Sequence, residues 1–492
     1  MRPADLSETD TFEALTRRWG PRYRWLLLLS VMVGTMASIM SSTIVNVAIP
    51  GMSSEFALGQ ERAQWVSSGF MVAMTVSMLT TPWLLARYGY RRVYDGTMLL
   101  LMAGGIAGGL ASVFPLVLAA RVAEGLAAGV VQPIPAIIIL RAFAQDKQGR
   151  ASGVFGMGVV LAPAIGPSIG GVLVDWFGWR SIFFMVVPFC VASLHLAHRF
   201  VPVTAPGGAA AQRGRRLDAL GLAIATIGTL CLLNGLVAFH RGDRAAWALL
   251  PGAVAALAAF IAWERRLAGR GGEPLMDLRL FGHPSFTMGS IVASIYGAAL
   301  FGSTYLLPVY MQVALHLSPS HVGTILLPAG LVLAVTIPLV GRLADRRATH
   351  VLVSTGLALL AASFAFMFTV PADNPILPLV CWAVLGRIGL GFILPSLNIG
   401  SMRALHSSLI PQGSSTINFL RMLGGAAGVS LCGVVLEWRI AAHGDSLANA
   451  ATGPGRIAAF DETFWMLAGV CALAMAAAWR LRPPVRRPAS PE

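Results

Sequence analysis

The sequence has few charged residues and few cysteines, and each shortage limits what the protein can be. Asp, Glu, Lys and Arg make up 12% of the 492 residues, against about 25% in an ordinary soluble domain. The five cysteines form no Cys-x-x-Cys pair and no cluster with histidine at metal-ligand spacing. We therefore interpret them as small core residues and expect no metal site and no other cofactor.

Sequence motifs of several enzyme classes are also missing. The chain has no Gly-x-x-x-x-Gly-Lys-Ser/Thr sequence for ATP binding and no His-Glu-x-x-His zinc motif. The sequence Gly166-Pro-Ser-Ile-Gly170 fits a hydrolase nucleophile elbow, but that motif needs a strand-turn-helix setting and a triad, and Ser168 falls in a predicted membrane helix. We expect no catalytic residues, and we do not expect an enzyme.

Long apolar runs dominate what is present. Hydrophobic residues make up 56% of the chain, and they gather in runs of about 20 residues or more, the length that crosses a bilayer as a helix. Fourteen such runs predict an all-α polytopic membrane protein. The predicted spans are 25–48, 64–86, 93–113, 115–139, 152–174, 181–200, 217–238, 245–265, 286–311, 322–342, 350–370, 376–400, 412–437 and 462–481.

The basic residues predict the orientation of these spans. If the N-terminus is cytoplasmic, most of the 36 Lys and Arg residues fall in cytoplasmic segments, as the positive-inside rule requires. The net charge of +14 therefore follows membrane topology, and we expect no nucleic-acid partner. The N-terminal segment has no cleavage pattern of a removed signal peptide. The sequence predicts a multi-pass inner-membrane protein with both termini in the cytoplasm.

Two short patterns recur eight predicted helices apart. Arg87–Arg92 follows span 2 and Gly341–Arg347 follows span 10, while Arg121–Gly125 and Arg387–Gly391 lie in spans 4 and 12. Parallel repeats of six helices are a known transporter architecture, with substrate between the halves near the membrane midplane. The predicted division is a cytoplasmic N-terminus at 1–24, an N-terminal six-helix bundle at 25–200, a linker with two inserted helices at 201–285, a C-terminal six-helix bundle at 286–481 and a cytoplasmic tail at 482–492.

A glycine-rich and proline-rich stretch in predicted span 5 carries the most specific pattern. Ala162, Gly166 and Gly170 are spaced by four, so they form a small-residue stripe against which another helix packs closely. The stretch resembles the antiporter signature in the fifth helix of drug:proton antiporters of the major facilitator superfamily, with Ala162 where that signature usually has Gly. The residues assigned to it are Gly153, Ala162, Pro163, Gly166, Pro167, Gly170 and Gly171.

Other stretches, in order from about residue 25 to residue 480, resemble the fourteen-spanner drug:proton antiporters of the EmrB/QacA type. Ser41–Pro50 resembles their first-helix motif, in which an Asp usually stands at the position of Ser41. In that family the acid is a common candidate for proton coupling. The resemblance implies a major facilitator fold of two six-helix bundles plus two inserted helices.

Arg121 and Glu124 are the only charged pair deep in the first half. They lie three residues apart and so share a helix face, and charges in a membrane usually face the protein interior or a water-filled cavity. In the family's fourth-helix motif, Gln commonly stands at the position of Glu124. We hypothesise that Glu124, beside Arg121, takes over proton coupling from the acid missing at Ser41. The alternative is a static Arg-Glu pair.

The repeated loop pattern predicts a charge latch between helix ends on the cytoplasmic face. It resembles the family's loop motif, although Ala86 replaces the motif's Asp in the first copy. The alternative is that these arginines only signal topology. The residues assigned to the latch are Arg87, Gly89, Arg91, Gly341, Asp345 and Arg346.

Polar side chains within the spans are candidates for a substrate cavity. For Thr43 and Asn46 the alternative is that they only bridge helices. The full candidate set is Thr43, Asn46, Gln132, Tyr305, Gln312, Arg387, Asn398 and Asn418.

The resemblance implies a proton-coupled antiporter that exports hydrophobic drugs or other amphipathic small molecules by alternating access. The alternative is an exporter of the same fold for a specific endogenous metabolite or an organic anion, which the missing acid at Ser41 favours. Because EmrB-type proteins can work with a periplasmic adaptor and an outer-membrane channel, such partners are possible besides the substrate, protons and the lipid bilayer.

Overall fold

The computed structural model describes residues 10–58, 60–204, 214, 216–240, 242–371, 375–445 and 453–481. The predicted tail at 482–492 lies outside these residues. Across the described chain the regular secondary structure is helical, with no strand. The α-helices, in chain order, are α1 Phe12–Trp19, α2 Tyr23–Glu55, α3 Gln60–Ser77, α4 Thr81–Tyr88, α5 Tyr90–Gly109, α6 Phe114–Val131, α7 Ile134–Ala142, α8 Gln148–Phe177, α9 Ser181–Phe200, α10 Ala219–His240, α11 Ala246–Gly269, α12 Pro284–Val309, α13 Pro319–Ala344, α14 Thr349–Ala365, α15 Ile376–Met402, α16 Ile410–Ala442 and α17 Pro454–Trp479.

Twelve helical stretches of the described chain are long and apolar enough to cross a membrane, so the chain is a multi-pass membrane protein. The other two predicted spans are helical as well, as α5 and α8, but they are not among these twelve. In α5 the first turns carry Arg91, Arg92 and Asp95, which lower its mean hydropathy. The total of fourteen spans stays a prediction.

Several spans are interrupted where the sequence places proline. The predicted span 115–139 is divided into α6 and α7 at Gln132 and Pro133, because proline lacks the N–H that would continue the helix. The carbonyl oxygen of Pro133 accepts a hydrogen bond from the Ser414 hydroxyl of α16 at 2.9 Å. A polar side chain of another helix thus satisfies the backbone at the break, as membrane helices require.

The buried apolar side chains form two large clusters that follow the order of the chain. One draws its members from residues 15–201, with Ile410 as the single later residue. The other draws its buried members from residues 280–481. Helices α10 and α11 pack against each other, and α10 also contacts both α3 and α16. The two helices therefore lie beside the line where the early and late parts of the chain meet.

Helices α8 and α13 form the most extensive contact between the early and late parts of the chain. Glycines on both sides make this approach possible. A Cβ atom at Gly153 would lie 2.9 Å from the carbonyl oxygen of Ile337, and one at Gly341 would lie 2.7 Å from the Gly153 Cα. Because real Cβ atoms do not approach so closely, larger side chains at these positions would push the two helices apart.

Candidate functional site

The buried pair Arg121 and Glu124 is the centre of the candidate coupling site. Arg121 Nη1 donates to Glu124 Oε2 at 2.5 Å, to the Ser41 hydroxyl at 2.9 Å and to the Ser41 carbonyl oxygen at 3.2 Å. Arg121 Nε donates to the Val66 carbonyl oxygen at 3.2 Å. The guanidinium carbon lies 4.3 Å from the centre of the Phe70 ring, a cation–π distance. Groups from helices α2, α3 and α6 therefore fix the position of the Arg121 side chain.

The sequence resemblance leads one to expect an acid at the position of Ser41. The Ser41 side chain contacts Glu124 directly. The Ser41 hydroxyl donates to Glu124 Oε2 at 3.2 Å, and Ser41, Arg121 and Glu124 are each no more than 1% exposed. The spacing of Arg121 and Glu124 predicts their pairing. The contact with Ser41, 83 positions from Glu124, comes from the packing of α2 against α6.

Two glycines of α5 form the wall behind the Glu124 carboxylate. A Cβ atom at Gly104 would lie 2.7 Å from Glu124 Cγ, and one at Gly105 would lie 3.6 Å from Glu124 Oε1. Glu124 Oε1 and Arg121 Nη2 are buried and form no hydrogen bond with the described residues. The pair thus has one oxygen acceptor and one N–H donor to which no described residue is hydrogen-bonded.

The antiporter motif lies along α8, and its two ends contact different helices. Gly153 packs on α13, whereas a Cβ atom at Gly166 would lie 3.1 Å from the Thr43 hydroxyl of α2. Ala162 is fully buried, Pro163 is half-buried and Gly171 has open space around it. Gly170 packs against α2 at Ile44. Pro167 and Ser168 lie within the helix, so Ser168 has no strand-turn-helix setting; their side chains are outside the described ones.

The second copy of the latch pattern joins α13 to α8. The Asp345 carboxylate follows α13 and accepts from the backbone N–H of Gly149 at 2.6 Å and of Arg150 at 2.9 Å. These N–H groups belong to the first turn of α8, where an acidic group is favoured by the unpaired donors and by the helix dipole. Burial raises the pKa of Asp345 above its ordinary value, and the two backbone donors oppose that rise.

The first copy of the latch pattern makes its described contacts within the early part of the chain. Arg91 forms an ion pair with Asp10 at 2.5 Å and donates to the Val201 carbonyl oxygen at 2.7 Å. Gly89 has a φ of 79°, and a Cβ atom there would collide with the carbonyl of Val203. Arg87 lies over the ring of Trp83, and Arg346 of the second copy is exposed.

Gln132 and Asn418 come together around an arginine that the candidate set did not include. Arg421 Nη2 donates to Asn418 Oδ1 at 2.7 Å and to Gln132 Oε1 at 3.4 Å. Gln132 lies at the break between α6 and α7, whereas Asn418 and Arg421 belong to α16. A polar group therefore bridges the early and late parts of the chain. The costly charge of Arg421 in a predicted span is the sequence signal that would have identified it.

The remaining cavity candidates are dispersed. The Thr43 hydroxyl donates to the Met40 carbonyl oxygen in its own helix at 3.2 Å, and Asn46 accepts from the Ser67 hydroxyl at 2.9 Å. These bonds fit the helix-bridging alternative as well as a cavity. The other candidates are Tyr305, Arg387 and Asn398, which are half-buried, and Gln312, which is exposed. Within the described residues, no hydrogen bond joins any of these four side chains to Gln132.

Comparisons with known proteins agree with this helical architecture. The family model of the Major Facilitator Superfamily matches residues 31–429. The chain is 31% identical to a multidrug resistance protein B homolog of Mycobacterium tuberculosis over 89% of this chain and 82% of the relative. It is 24% identical to the lincomycin resistance protein LmrB of Listeria monocytogenes over 84% of this chain and 86% of the relative.

A solved structure gives the same fold. The human organic anion transporter MFSD10 (TETRAN) superimposes with a TM-score of 0.64 over 92% of this chain and 99% of that chain, at 15% identity. At this identity the likeness is one of fold. Together with the family match and the identity to the multidrug resistance protein, it leads to one conclusion: the chain belongs to the Major Facilitator Superfamily of membrane transporters.

Proposed function

We propose that this transporter is a proton-coupled antiporter that exports hydrophobic drugs or other amphipathic small molecules across the inner membrane by alternating access. The observation that carries the proposal is the buried cluster of Ser41, Arg121 and Glu124. A carboxylate inside a membrane is costly unless it is paired or functional. This one has an arginine partner and also one oxygen that no described residue binds.

The cluster also supports a relocation of the coupling acid. In the antiporters that this chain resembles, an Asp usually stands in the first membrane helix at the position of Ser41, and it is a common candidate for proton coupling. Here the Ser41 hydroxyl touches both Glu124 and Arg121. A carboxylate on α2 or on α6 would therefore meet the same guanidinium group. Glu124 of α6 supplies the carboxylate that α2 lacks.

The contacts between the two halves support alternating access. Asp345 binds the first turn of α8, Gly153 packs on α13, and Ser414 binds Pro133. The outer part of α8, at Gly166 and Gly170, packs instead on α2 in its own half. By the predicted topology, the halves are closed on the cytoplasmic side, and Asp345 latches that side.

The proposed organisation follows the same division. The six-helix bundles at 25–200 and 286–481 are supported by the two separate apolar cores, with 201–285 contributing the inserted helices. On this proposal α5 and α8 cross the membrane too, which gives fourteen spans with both termini in the cytoplasm. A periplasmic adaptor and an outer-membrane channel are possible partners on the resemblance alone.

The proposal is tested in proteoliposomes under an imposed pH gradient, with ethidium and an organic anion as alternative substrates. We expect gradient-driven efflux of one substrate by the wild type. Glu124→Gln should reduce that efflux to the level of empty liposomes while substrate exchange without a gradient continues, because only the proton step needs the carboxyl group. Unchanged efflux with unchanged pH dependence in Glu124→Gln would refute the proposal.

A matched control is available in another buried acid. Glu264 of α11 is also fully buried, but it lies on an inserted helix, away from the cluster. We expect Glu264→Gln to keep gradient-driven efflux. A loss in both variants would point to a general effect of removing buried carboxylates.

The second candidate function is export of an organic anion or a specific metabolite. The observation in its favour is the pair of arginines Arg387 and Arg421, which form no ion pair within the described part of the chain. Efflux of the anion alone in the same experiment would select this candidate.

A further inference from the structure

The late half of the chain repeats the arginine of the buried pair but omits its acid. Arg121-Val-Ala-Glu124-Gly125 in α6 corresponds to Arg387-Ile-Gly-Leu390-Gly391 in α15. Leu390, at the position of Glu124, is 1% exposed. Since leucine carries no charge, the counter-charge of Arg387 has to come from elsewhere.

A second arginine, Arg421 of α16, also lies near Tyr296. Helix α12, which carries Tyr296, packs against both α15 with Arg387 and α16 with Arg421, and the Tyr296 side chain interacts with the charges of both arginines. Helices α12 and α16 approach so tightly that a Cβ atom at Gly297 would lie 3.0 Å from the carbonyl carbon of Arg421. Tyr296 and Arg387 stand near the middle of α12 and α15, and Arg421 lies within the first half of α16, so none of the three is at a helix end.

On the described helices around these two arginines, no acidic side chain is placed to neutralise them. Helices α12, α13, α14 and α15 contain no Asp or Glu. The only acid of α16 is Glu437, about 24 Å from Arg421 along the helix axis. On α8, which packs against α15, the only acid is Asp175 near the last turn. On α17, which packs against α12 and α16, Asp461 lies near Tyr310 and Glu462 pairs with Arg439, both at the far ends of those helices.

The hydrogen-bond partners of the arginines are neutral as well. Arg421 donates to the side-chain oxygens of Asn418 and Gln132. In the part of the chain that the structure describes, Arg387 forms no side-chain hydrogen bond, and both arginines are half-buried. Two positive charges within a membrane protein, without an acid between them, strongly favour a bound anion.

We propose that Arg387, Arg421 and Tyr296 form a subsite for the anionic group, a carboxylate or sulfonate, of an amphipathic substrate. Guanidinium groups bind such anions through paired charge-assisted hydrogen bonds, and the tyrosine hydroxyl is a further donor. Arg421 donates to Gln132 of the early half, so the subsite borders the early half. The inference rests on the proposed export function and names its substrate class.

The test is equilibrium binding to the purified full-length protein in detergent, without any proton gradient. The probes share one aromatic body and differ in charge: pyrenebutyrate, pyrenebutanol and pyrenebutylamine. We expect the wild type to bind pyrenebutyrate about tenfold or more tightly than pyrenebutanol, because charged hydrogen bonds contribute that much. Equal affinity for the three probes, or no binding of pyrenebutyrate, would overturn the subsite.

Substitutions at Arg387 and Leu390 locate the effect. Arg387→Gln should remove the preference for pyrenebutyrate. Leu390→Glu should remove it too, because the new carboxylate lies three residues from Arg387 and recreates the pair seen at Arg121 and Glu124. Leu390→Gln, which has nearly the same volume without the charge, should keep the preference. If Leu390→Gln and Leu390→Glu behave alike, the site is not an anion subsite.

Two further measurements separate this inference from its alternatives. Thermal unfolding of each variant identifies misfolding. If Leu390→Glu does not fold, the test is the comparison of the pyrenebutyrate preference between Arg387→Gln and Leu390→Gln. Glu124→Gln should retain the preference for pyrenebutyrate, because binding needs no proton step. Loss of gradient-driven efflux with intact anion binding would therefore concern the coupling site, whereas loss of the anion preference in Arg387→Gln concerns the subsite.

Discussion

At the residue scale, the coupling site depends on Arg121 as much as on Glu124. A carboxylate in this position needs a nearby cation, since an isolated buried charge is too costly. Arg121 is fixed by Phe70 and by the carbonyl oxygens of Ser41 and Val66. A fixed guanidinium group favours any carboxylate within its reach, and α2 and α6 both offer such a position.

Gly104 gives a residue-scale prediction. Because its Cβ atom would lie 2.7 Å from Glu124 Cγ, Gly104→Ala should displace Glu124 and destabilise the protein by about 1–3 kcal/mol. Gly96 of the same helix has nothing within 4 Å, so Gly96→Ala is the control and should be neutral or slightly stabilising. Thermal unfolding in detergent measures both, and equal stability of the two variants would contradict the packing described here.

The sequence is informative about parts of this site and silent about others. The pairing of Arg121 with Glu124 could be predicted, because three residues on a helix fix a shared face. The contact of Ser41 with Glu124 could not, because it depends on how two distant helices pack. Arg421 was recognisable as a charge in a span, but its neighbours Gln132 and Tyr296 come from other helices and needed the structure.

At the element scale, glycines and prolines decide where helices approach or break. Most helices could be predicted from apolar runs, since length and hydropathy determine a membrane helix. The break between α6 and α7 was not predicted, although Pro133 and Pro135 were its signals. The small residues of α8 pack toward α13 at Gly153 and toward α2 at Gly166 and Gly170, and their role in an antiporter stays a prediction.

The contact of α8 with α13 gives an element-scale prediction. Gly341→Leu should force the two helices apart at the latch, and overpacking of about 1–3 kcal/mol would shift the closed–open equilibrium about 5–150-fold. A cysteine at Ser414, which is buried at another contact between the two halves, should then react faster with a maleimide. Gly171 of α8 has open space around it, so Gly171→Leu should leave that cysteine protected. Equal protection in both variants would argue against a latch.

At the scale of the whole molecule, the two halves differ in charge. The early half holds an arginine with its own acid, and the late half holds Arg387 and Arg421 without one. The proposed antiporter therefore divides its tasks, with proton exchange in the early half and anion recognition in the late half. The sequence repeat predicts the matching positions of Arg121 and Arg387, while the difference in their surroundings depends on Glu124 and Leu390.

The most direct test of the relocated coupling acid is a swap between the two helices. Gradient-driven efflux in proteoliposomes is measured for the wild type, Glu124→Gln and the double variant Ser41→Asp with Glu124→Gln. We predict that Glu124→Gln loses coupled efflux and that the double variant regains it, because Asp at position 41 also meets Arg121. Full efflux in Glu124→Gln alone, with the pH dependence of the wild type, would contradict the account.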